Sequence, residues 1–169
     1  MFTNLNTFKV LKELFVHTSK KSSMRDLAKI TGLSVATVSK VCSDLGAENL
    51  IKTEKVAKSL LVSANIGSKE YTFFKRLFNI YSLKDLIFQI SGENPSAVIL
   101  YGSYSRGEDD ERSDIDIAVI GAEFEVGEKR FEKSLFRSLH IMFFASEKDI
   151  PDDLRISLNN GIVLLGGLL

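Results

Sequence analysis

The sequence predicts an α/β (α+β) chain built from two modules, a helical one followed by a mixed β-sheet with flanking helices. The charges are divided between them, because residues 1–90 carry 14 Lys and Arg against 7 Asp and Glu, whereas residues 91–169 carry 8 against 15. Apolar residues recur at helical spacing in the first part, and short apolar runs typical of strands dominate the second. The best turn cluster, SGENPS at 91–96, separates them. We therefore expect domains at 1–66 and 93–169, joined by a helical linker at 67–92.

The N-terminal module is predicted to begin with three helices. The first covers about residues 4–17, and Ser23 can cap a second helix whose inward residues are Leu27, Ala28 and Ile30. Gly32 lies in a short turn, after which Ser34 can cap a third helix. The inner side of that third helix is expected to hold Val35, Val38, Val41 and Leu45.

The outer side of the third helix carries small, polar or basic residues, namely Ala36, Thr37, Ser39, Lys40 and Ser43. A helix-turn-helix consists of two short helices joined by a turn that often contains glycine, and its second helix enters the major groove. The two helices predicted here, with this small and polar outer face on the second, match that arrangement. After it, 50–54 and 58–63 are predicted to pair as a β-hairpin carrying Lys52, Lys55 and Lys58.

The segment 5–63 resembles the winged helix-turn-helix domain of bacterial and archaeal regulators. The resemblance is strongest in the stretch RDLAKITGLSVATVSKVCSDLGAENLIKTEKV. The resemblance implies DNA as a partner, and the excess of positive charge in the first ninety residues agrees with it. The expected DNA-binding residues are Ser34, Ala36, Thr37, Lys40, Lys55 and Lys58. Regulators that read palindromic sites are commonly dimers, so a homodimer is a further expectation.

The C-terminal module is predicted to contain four strands and three helices. The strands are expected at 97–101, 115–120, 139–144 and 162–165. A short helix is expected after the first strand, and two longer helices around 127–138 and 150–159. The first strand is apolar throughout, as expected for a strand that is covered on both faces. Helical spacing also continues through 68–91, where aromatic residues are expected to pack rather than to line a ligand pocket.

Two motifs in this module carry chemistry. Gly102 and Ser103 follow the first strand, and ten residues separate Ser103 from Asp114 and its neighbour Asp116. Two carboxylates one residue apart on a strand project to the same face and repel each other unless a cation lies between them, which predicts a divalent-metal site. Gly102 allows close backbone approach to a triphosphate, and Ser103 offers a hydroxyl and an N–H. The alternative is that 113–114 caps a turn within a solvated charge run, DDERSD at 109–114.

This pattern of Gly-Ser, ten residues and Asp-x-Asp resembles the signature of polymerase-beta-type nucleotidyltransferases, in particular their minimal branch. Arg106 and Gly107 match a frequent extension of the motif. The resemblance implies that Asp114 and Asp116 bind Mg²⁺ and are catalytic together with Ser103, while Gly102, Ser103 and Arg106 bind ATP or another NTP. Arg106 could pair with a phosphate or brace the turn. It also implies transfer of a nucleoside monophosphate to a hydroxyl of a protein, as in antitoxin-like members, or of a small molecule.

Active members of that family usually place a third acid on the next strand. In this sequence the corresponding position holds His140, and Glu123 and Glu125 lie just past the preceding strand as substitutes. A histidine there could accept a proton or bind a metal, or it could be structural. The competing interpretation is therefore a DNA-binding transcriptional regulator whose nucleotidyltransferase-like domain is inactive and senses nucleotide or contacts a partner.

Cysteine usage and hydropathy indicate a cytoplasmic protein that does not contact a membrane. The single cysteine, Cys42, excludes an intrachain disulfide and is expected to be a packing residue. The segment 161–169 is apolar but too short to span a bilayer, and it is predicted to contain a closing strand.

Overall fold

A computed structural model describes residues 4–57 and 59–167 of the chain. Helices and strands are mixed along it, which confirms the predicted α/β class. The chain divides into two compact units, Met1–Lys75 and Arg76–Leu169. The division falls inside a helix, α4 (Lys69–Ser82), within the segment that the sequence predicts to be a linker.

The first unit contains three helices and a small antiparallel sheet. In chain order its elements are α1 (Leu5–Val16), β1 (Ser22–Ser23), α2 (Met24–Thr31), α3 (Val35–Ala47), β2 (Ile51–Val56) and β3 (Ser59–Ala64). The strand order is β1-β3-β2, so the predicted hairpin forms the larger part of the sheet. Its turn includes Ala57 with a φ of 51°.

The predicted helix caps are present in this unit. The Ser23 hydroxyl accepts a hydrogen bond from the Asp26 N–H, and the Asp26 carboxylate accepts one in return from the Ser23 N–H, which forms a capping box. The Ser34 hydroxyl accepts a hydrogen bond from the N–H of Thr37 at 3.1 Å. These contacts satisfy N–H groups that a helix leaves unpaired in its first turn.

The inward faces of α2 and α3 differ from the prediction at one residue each. Ile30 is exposed, because the buried face of α2 is centred on Leu27, Ala28 and Thr31 and Ile30 lies roughly 100° away around the helix. Val35 is also exposed, since it is the first residue of α3 and precedes the turn that packs on the core. Cys42 is buried, as expected of a packing residue.

The second unit is a four-stranded mixed sheet with helices on both faces. Its elements after α4 are α5 (Lys84–Ser91), β4 (Ala97–Tyr101), α6 (Gly102–Arg106), β5 (Ile115–Ile120), α7 (Glu128–Leu135), β6 (Leu139–Phe144), a 3₁₀ turn (Glu147–Asp149), α8 (Asp152–Asn159) and β7 (Ile162–Gly166). The strand order is β6-β5-β4-β7, and β5 and β6 are parallel while the other pairs are antiparallel.

The sheet of the second unit is packed on both sides. Val98 and Leu100 belong to a cluster on one face with Leu86 and Ile90 of α5. Ile99 lies on the opposite face with residues of the α8 region, Ile150 and Leu158. All five residues of β4 are buried, as its apolar sequence predicts.

Across the described ranges, no helix has the length and apolar character that crossing a membrane requires. The closing strand predicted in 161–169 is present as β7, and the last two residues of that segment lie outside the described part of the chain.

Candidate active site

Two aspartates lie at the start of the central strand β5. Asp114 precedes the strand and Asp116 is its second residue, so the intervening Ile115 points into the core. Their side chains are 41% and 29% exposed, so both carboxylates are partly withdrawn from water. Burial raises the pKa of Asp116, and repulsion from Asp114 adds to this increase while the neighbouring imidazole of His140 opposes it. A cation between the two carboxylates would offset their repulsion and stabilise the charged form of Asp116.

Gly102 lies against the second of these carboxylates. It begins α6 directly after β4, whose last residue, Tyr101, is the cross-strand partner of Asp116. Its φ is 73°, and a Cβ at this position would overlap the Asp116 carboxylate oxygen Oδ2. The glycine is therefore required both by the backbone conformation and by close approach of the acid. Ser103 follows as the second residue of α6, which brings the two halves of the motif together.

The extension of the motif has a local structural explanation. Gly107 ends α6 in the left-handed conformation, with a φ of 73°, as is common for glycine after a helix. The Arg106 guanidinium forms an ion pair with Glu108, with 2.6 Å between Nε and Oε2, and both side chains are more than half exposed. Of the two roles that the sequence leaves open for Arg106, the contact in the structure is with the turn.

The loop that presents Asp114 is anchored by a buried polar network. Asp109 accepts a hydrogen bond of 2.7 Å from the side-chain amide of Asn79, and the guanidinium of Arg137 lies 3.5 Å from its other oxygen. The Asn79 amide also donates to the Tyr104 carbonyl in α6. The side chains of Asp109 and Arg137 are 1% and 4% exposed, so this part of the DDERSD run is interior and not a solvated surface.

The next residue of the loop forms a turn. One Asp110 oxygen accepts hydrogen bonds from the N–H groups of Arg112 and Ser113, and these bonds lower the pKa of Asp110. This Asx turn fixes the backbone just before Asp114. Sequence spacing identified the fixed motif residues but missed Asn79, Asp109 and Arg137, because their partners are distant along the chain.

His140 is beside the aspartate pair. The parallel register of β5 and β6 pairs it with Asp116, and its Nδ1 lies 3.7 Å from Asp116 Oδ1 and 3.9 Å from Asp114 Oδ2. Glu123 and Glu125 follow the opposite end of β5, beyond Ile120. The ring of Phe124 packs against Phe143, which pairs with Val119, so this segment lies at the end of β5 opposite to Asp116.

The donor set fits a magnesium ion that also contacts phosphate. Within residues 4–57 and 59–167, no group of three or more His, Cys, Asp or Glu side chains has the arrangement of a metal site. Mg²⁺ is typically held by one or two carboxylates, with substrate phosphates and water completing its shell. Asp114 and Asp116 match that requirement, because both carboxylates are partly exposed and face His140 Nδ1, and Asp116 lies against Gly102.

A cavity of about 610 Å³ adjoins this site on the side of Asp114. Its walls come from the loop before β5, from α7 and from the loop before β6. The lining residues are Glu111, Arg112, Ser113, Asp114, Lys129, Glu132, Lys133, Phe136, Arg137 and Ser138.

The residues predicted to contact DNA lie on one helix and the hairpin of the first unit. Ala36 and Lys40 are exposed on α3, and Lys55 is exposed on β2. Ser34 and Thr37 share a hydrogen bond of 2.9 Å between their hydroxyls at the start of α3. Lys58 lies outside the described residues.

Comparison with known proteins supports the second unit's identity. No curated protein and no solved structure matches the chain significantly. A family model described as "Polymerase beta, Nucleotidyltransferase" matches residues 84–162, a span that begins at α5 and includes every residue of the Gly-Ser and Asp-x-Asp motifs. The match supports a polymerase-beta-type nucleotidyltransferase domain in this part of the chain.

Proposed function

We propose that the protein transfers a nucleoside monophosphate from ATP or another NTP to a hydroxyl group of a protein or small molecule. The observation that carries the proposal is the contact of Gly102 with the Asp116 carboxylate, beside Asp114. The turn at Gly102 can approach a phosphate closely, and the two carboxylates can hold Mg²⁺. The contact places this turn next to the carboxylates. The nucleotidyltransferase match over residues 84–162 agrees with this reaction class.

Each residue of the site has a separate task in this reaction. Asp114 and Asp116 would hold Mg²⁺, which offsets negative charge on the triphosphate when bound. The backbone at Gly102 and the hydroxyl of Ser103 would bind the phosphates that leave, and Arg106 could exchange its exposed partner Glu108 for a phosphate.

The transfer itself is an in-line displacement at the α-phosphorus. A bond forms between the acceptor oxygen and the α-phosphorus, and the bond from that phosphorus to the bridging oxygen breaks. Pyrophosphate leaves with the electron pair. The hydroxyl proton passes to water or to His140, whose exposed imidazole lies next to Asp116.

Pyrophosphate release tests this proposal. We expect the full-length protein with Mg²⁺ and ATP to release pyrophosphate and to attach label from α-³²P-ATP to an acceptor in a cell extract. Asp114→Asn combined with Asp116→Asn should abolish both signals, because neither amide can hold the cation. Asp153→Asn is the matched control, since Asp153 is exposed on α8. Activity that survives in the double variant would contradict the proposal.

A second function is favoured by the first unit. We propose that it is a winged helix-turn-helix that binds DNA in the cytoplasm, as a homodimer when the site is palindromic. The support is the topology of three helices followed by a hairpin, the exposed α3 face with Lys40, and Lys55 on the hairpin. His140 in place of a third acid favours the variant in which the second unit only senses nucleotide or contacts a partner.

A mobility-shift assay with the DNA upstream of the protein's own gene tests this second function. Affinity should fall steeply as salt rises, because the binding of cationic side chains to phosphates releases counterions. Lys40→Glu should weaken binding by about tenfold or more, whereas Lys12→Glu, an exposed control on α1, should not. DNA binding without pyrophosphate release would identify a regulator with an inactive second unit. Absence of DNA binding would exclude this function.

A further inference from the structure

The cavity next to Asp114 lies on the flank of the aspartate pair away from the phosphate-binding turn. Strand β5, which carries the pair, is between β4 and β6 in the sheet. Gly102 and Ser103 directly follow β4, whereas the cavity is lined by the segment that leads into β6. Asp114 is therefore shared between the metal site and the cavity wall.

The geometry of the displacement indicates which substrate would occupy the cavity. In an in-line displacement, the attacking oxygen and the leaving oxygen are on opposite sides of the phosphorus. If the pyrophosphate leaves toward Gly102 and Ser103, the acceptor hydroxyl must approach from the opposite flank. A cavity of about 610 Å³ there is in the size range of small-molecule sites.

The cavity wall carries four cationic and three acidic side chains, and one of the cations, Arg137, is paired with Asp109. Glu132 accepts a hydrogen bond of 3.0 Å from the Leu139 N–H, so this acid is engaged in fixing the start of β6. The other acids of the wall are Glu111 and Asp114, of which Asp114 also belongs to the metal site. Arg112, Lys129 and Lys133 are exposed around the cavity, and such side chains bind phosphate through charge-assisted hydrogen bonds.

An aromatic side chain completes the lining. Phe136 is 57% exposed although phenylalanine is usually buried. Its φ is 56°, because α7 ends at this residue in the left-handed conformation. An exposed aromatic ring beside cations is suited to stack on a planar ring.

We propose that this cavity binds the acceptor, and that the acceptor is a phosphate-bearing compound with a planar ring, of the size of a mononucleotide. Lys129, Lys133 and Arg112 would bind the phosphate, Phe136 would stack on the ring, and the attacking hydroxyl would face Asp114. The inference rests on the proposed nucleotidyl transfer and names the substrate class of that reaction. The bonds that form and break are those of the proposed transfer.

Calorimetric titration with adenosine 5′-monophosphate as the probe tests the proposal. The full-length protein is first saturated with Mg²⁺ and α,β-methylene-ATP, which cannot donate its nucleotidyl group, and AMP is then added. We expect AMP to bind, and Lys129→Glu combined with Lys133→Glu to weaken it at least about tenfold. Lys148→Glu is the matched control, because Lys148 is exposed in the same unit away from the cavity and should leave binding unchanged.

A second variant tests the aromatic contact. Phe136→Ala should weaken AMP at least about fivefold while leaving ribose 5-phosphate, which lacks the base, unchanged. Equal AMP affinity in wild type and the double lysine variant, or no AMP binding at millimolar concentration, would overturn the proposal. AMP binding that is seen without the ATP analogue and lost in its presence would also overturn it, because the cavity would then be part of the donor site. Failure of the ATP analogue to bind with Mg²⁺ would instead contradict the proposed transfer. In that case, titration of AMP into the protein without the analogue still tests the cavity.

Discussion

The Asp116 carboxylate occupies the space beside Gly102 in which a Cβ would lie, and such an atom would overlap Oδ2. We predict that Gly102→Ala lowers nucleotidyl transfer on the order of 100-fold, because the methyl group must displace the metal-binding carboxylate. Pyrophosphate release measures this effect. Gly127→Ala is the matched control, since Gly127 has a φ of 68° and nothing lies within 4 Å of its added Cβ. Both variants incur the backbone cost of about 1 kcal/mol or more. Equal activity of the two would show that the contact is not important.

Asp116 is predicted to reduce stability at neutral pH. Its pKa is raised above 3.8 in the folded protein, so the folded state binds this proton more tightly than the unfolded chain does. The resulting stabilisation is complete below the unfolded value and is lost as pH rises through the folded one. Asp116→Asn should therefore increase the free energy of unfolding at pH 7, while it abolishes activity. Urea unfolding at several pH values from 3.5 upward checks this. A variant less stable than wild type at pH 7 would contradict the prediction.

The buried pair of Asp109 and Arg137 is predicted to be important for stability. Asp109→Ala should destabilise the second unit by about 3 kcal/mol, because it leaves the Arg137 guanidinium buried without this carboxylate. Urea unfolding followed by circular dichroism measures the change. Asp152→Ala removes an ion pair with Arg155 in which the aspartate is fully exposed, so the loss of stability should be much smaller. Similar losses in the two variants would mean that the network is not an anchor.

Cys42 is predicted to be unreactive in the folded protein. Burial raises the pKa of its thiol to about 11, so about one thiol in a thousand is ionised at pH 8. Reaction with an aromatic disulfide reagent should be slow in buffer and become fast in denaturing urea. Rapid labelling of the native protein would show that the thiol is accessible.

The strands that position the candidate site could be predicted from the sequence. Strands β4, β5 and β6 have the predicted bounds, because each is a short apolar run between turn residues. Gly102, Ser103, Asp114 and Asp116 are brought together as their spacing predicts, since β4 and β5 pair with Tyr101 opposite Asp116.

Non-local contacts account for what the sequence did not indicate. Asp109 sits in a charge run that local composition assigns to the surface, yet its partners Asn79 and Arg137 are 30 and 28 positions away, and they bury it. The cavity likewise combines 111–114 with 129–138, and its position follows from the strand order β6-β5-β4-β7, which is not a local property. Exposure of Ile30 depends on how α2 is rotated against the core, which spacing alone defines only approximately.

Calorimetric titration of ATP into the full-length protein, with and without Mg²⁺, tests the site most directly. Binding should require Mg²⁺ and should weaken on the order of 100-fold when Asp114→Asn and Asp116→Asn are combined, while Asp153→Asn leaves it unchanged. The same ATP affinity without Mg²⁺, or in the double variant, would contradict a site in which the two aspartates hold the cation and Gly102 and Ser103 hold the phosphates.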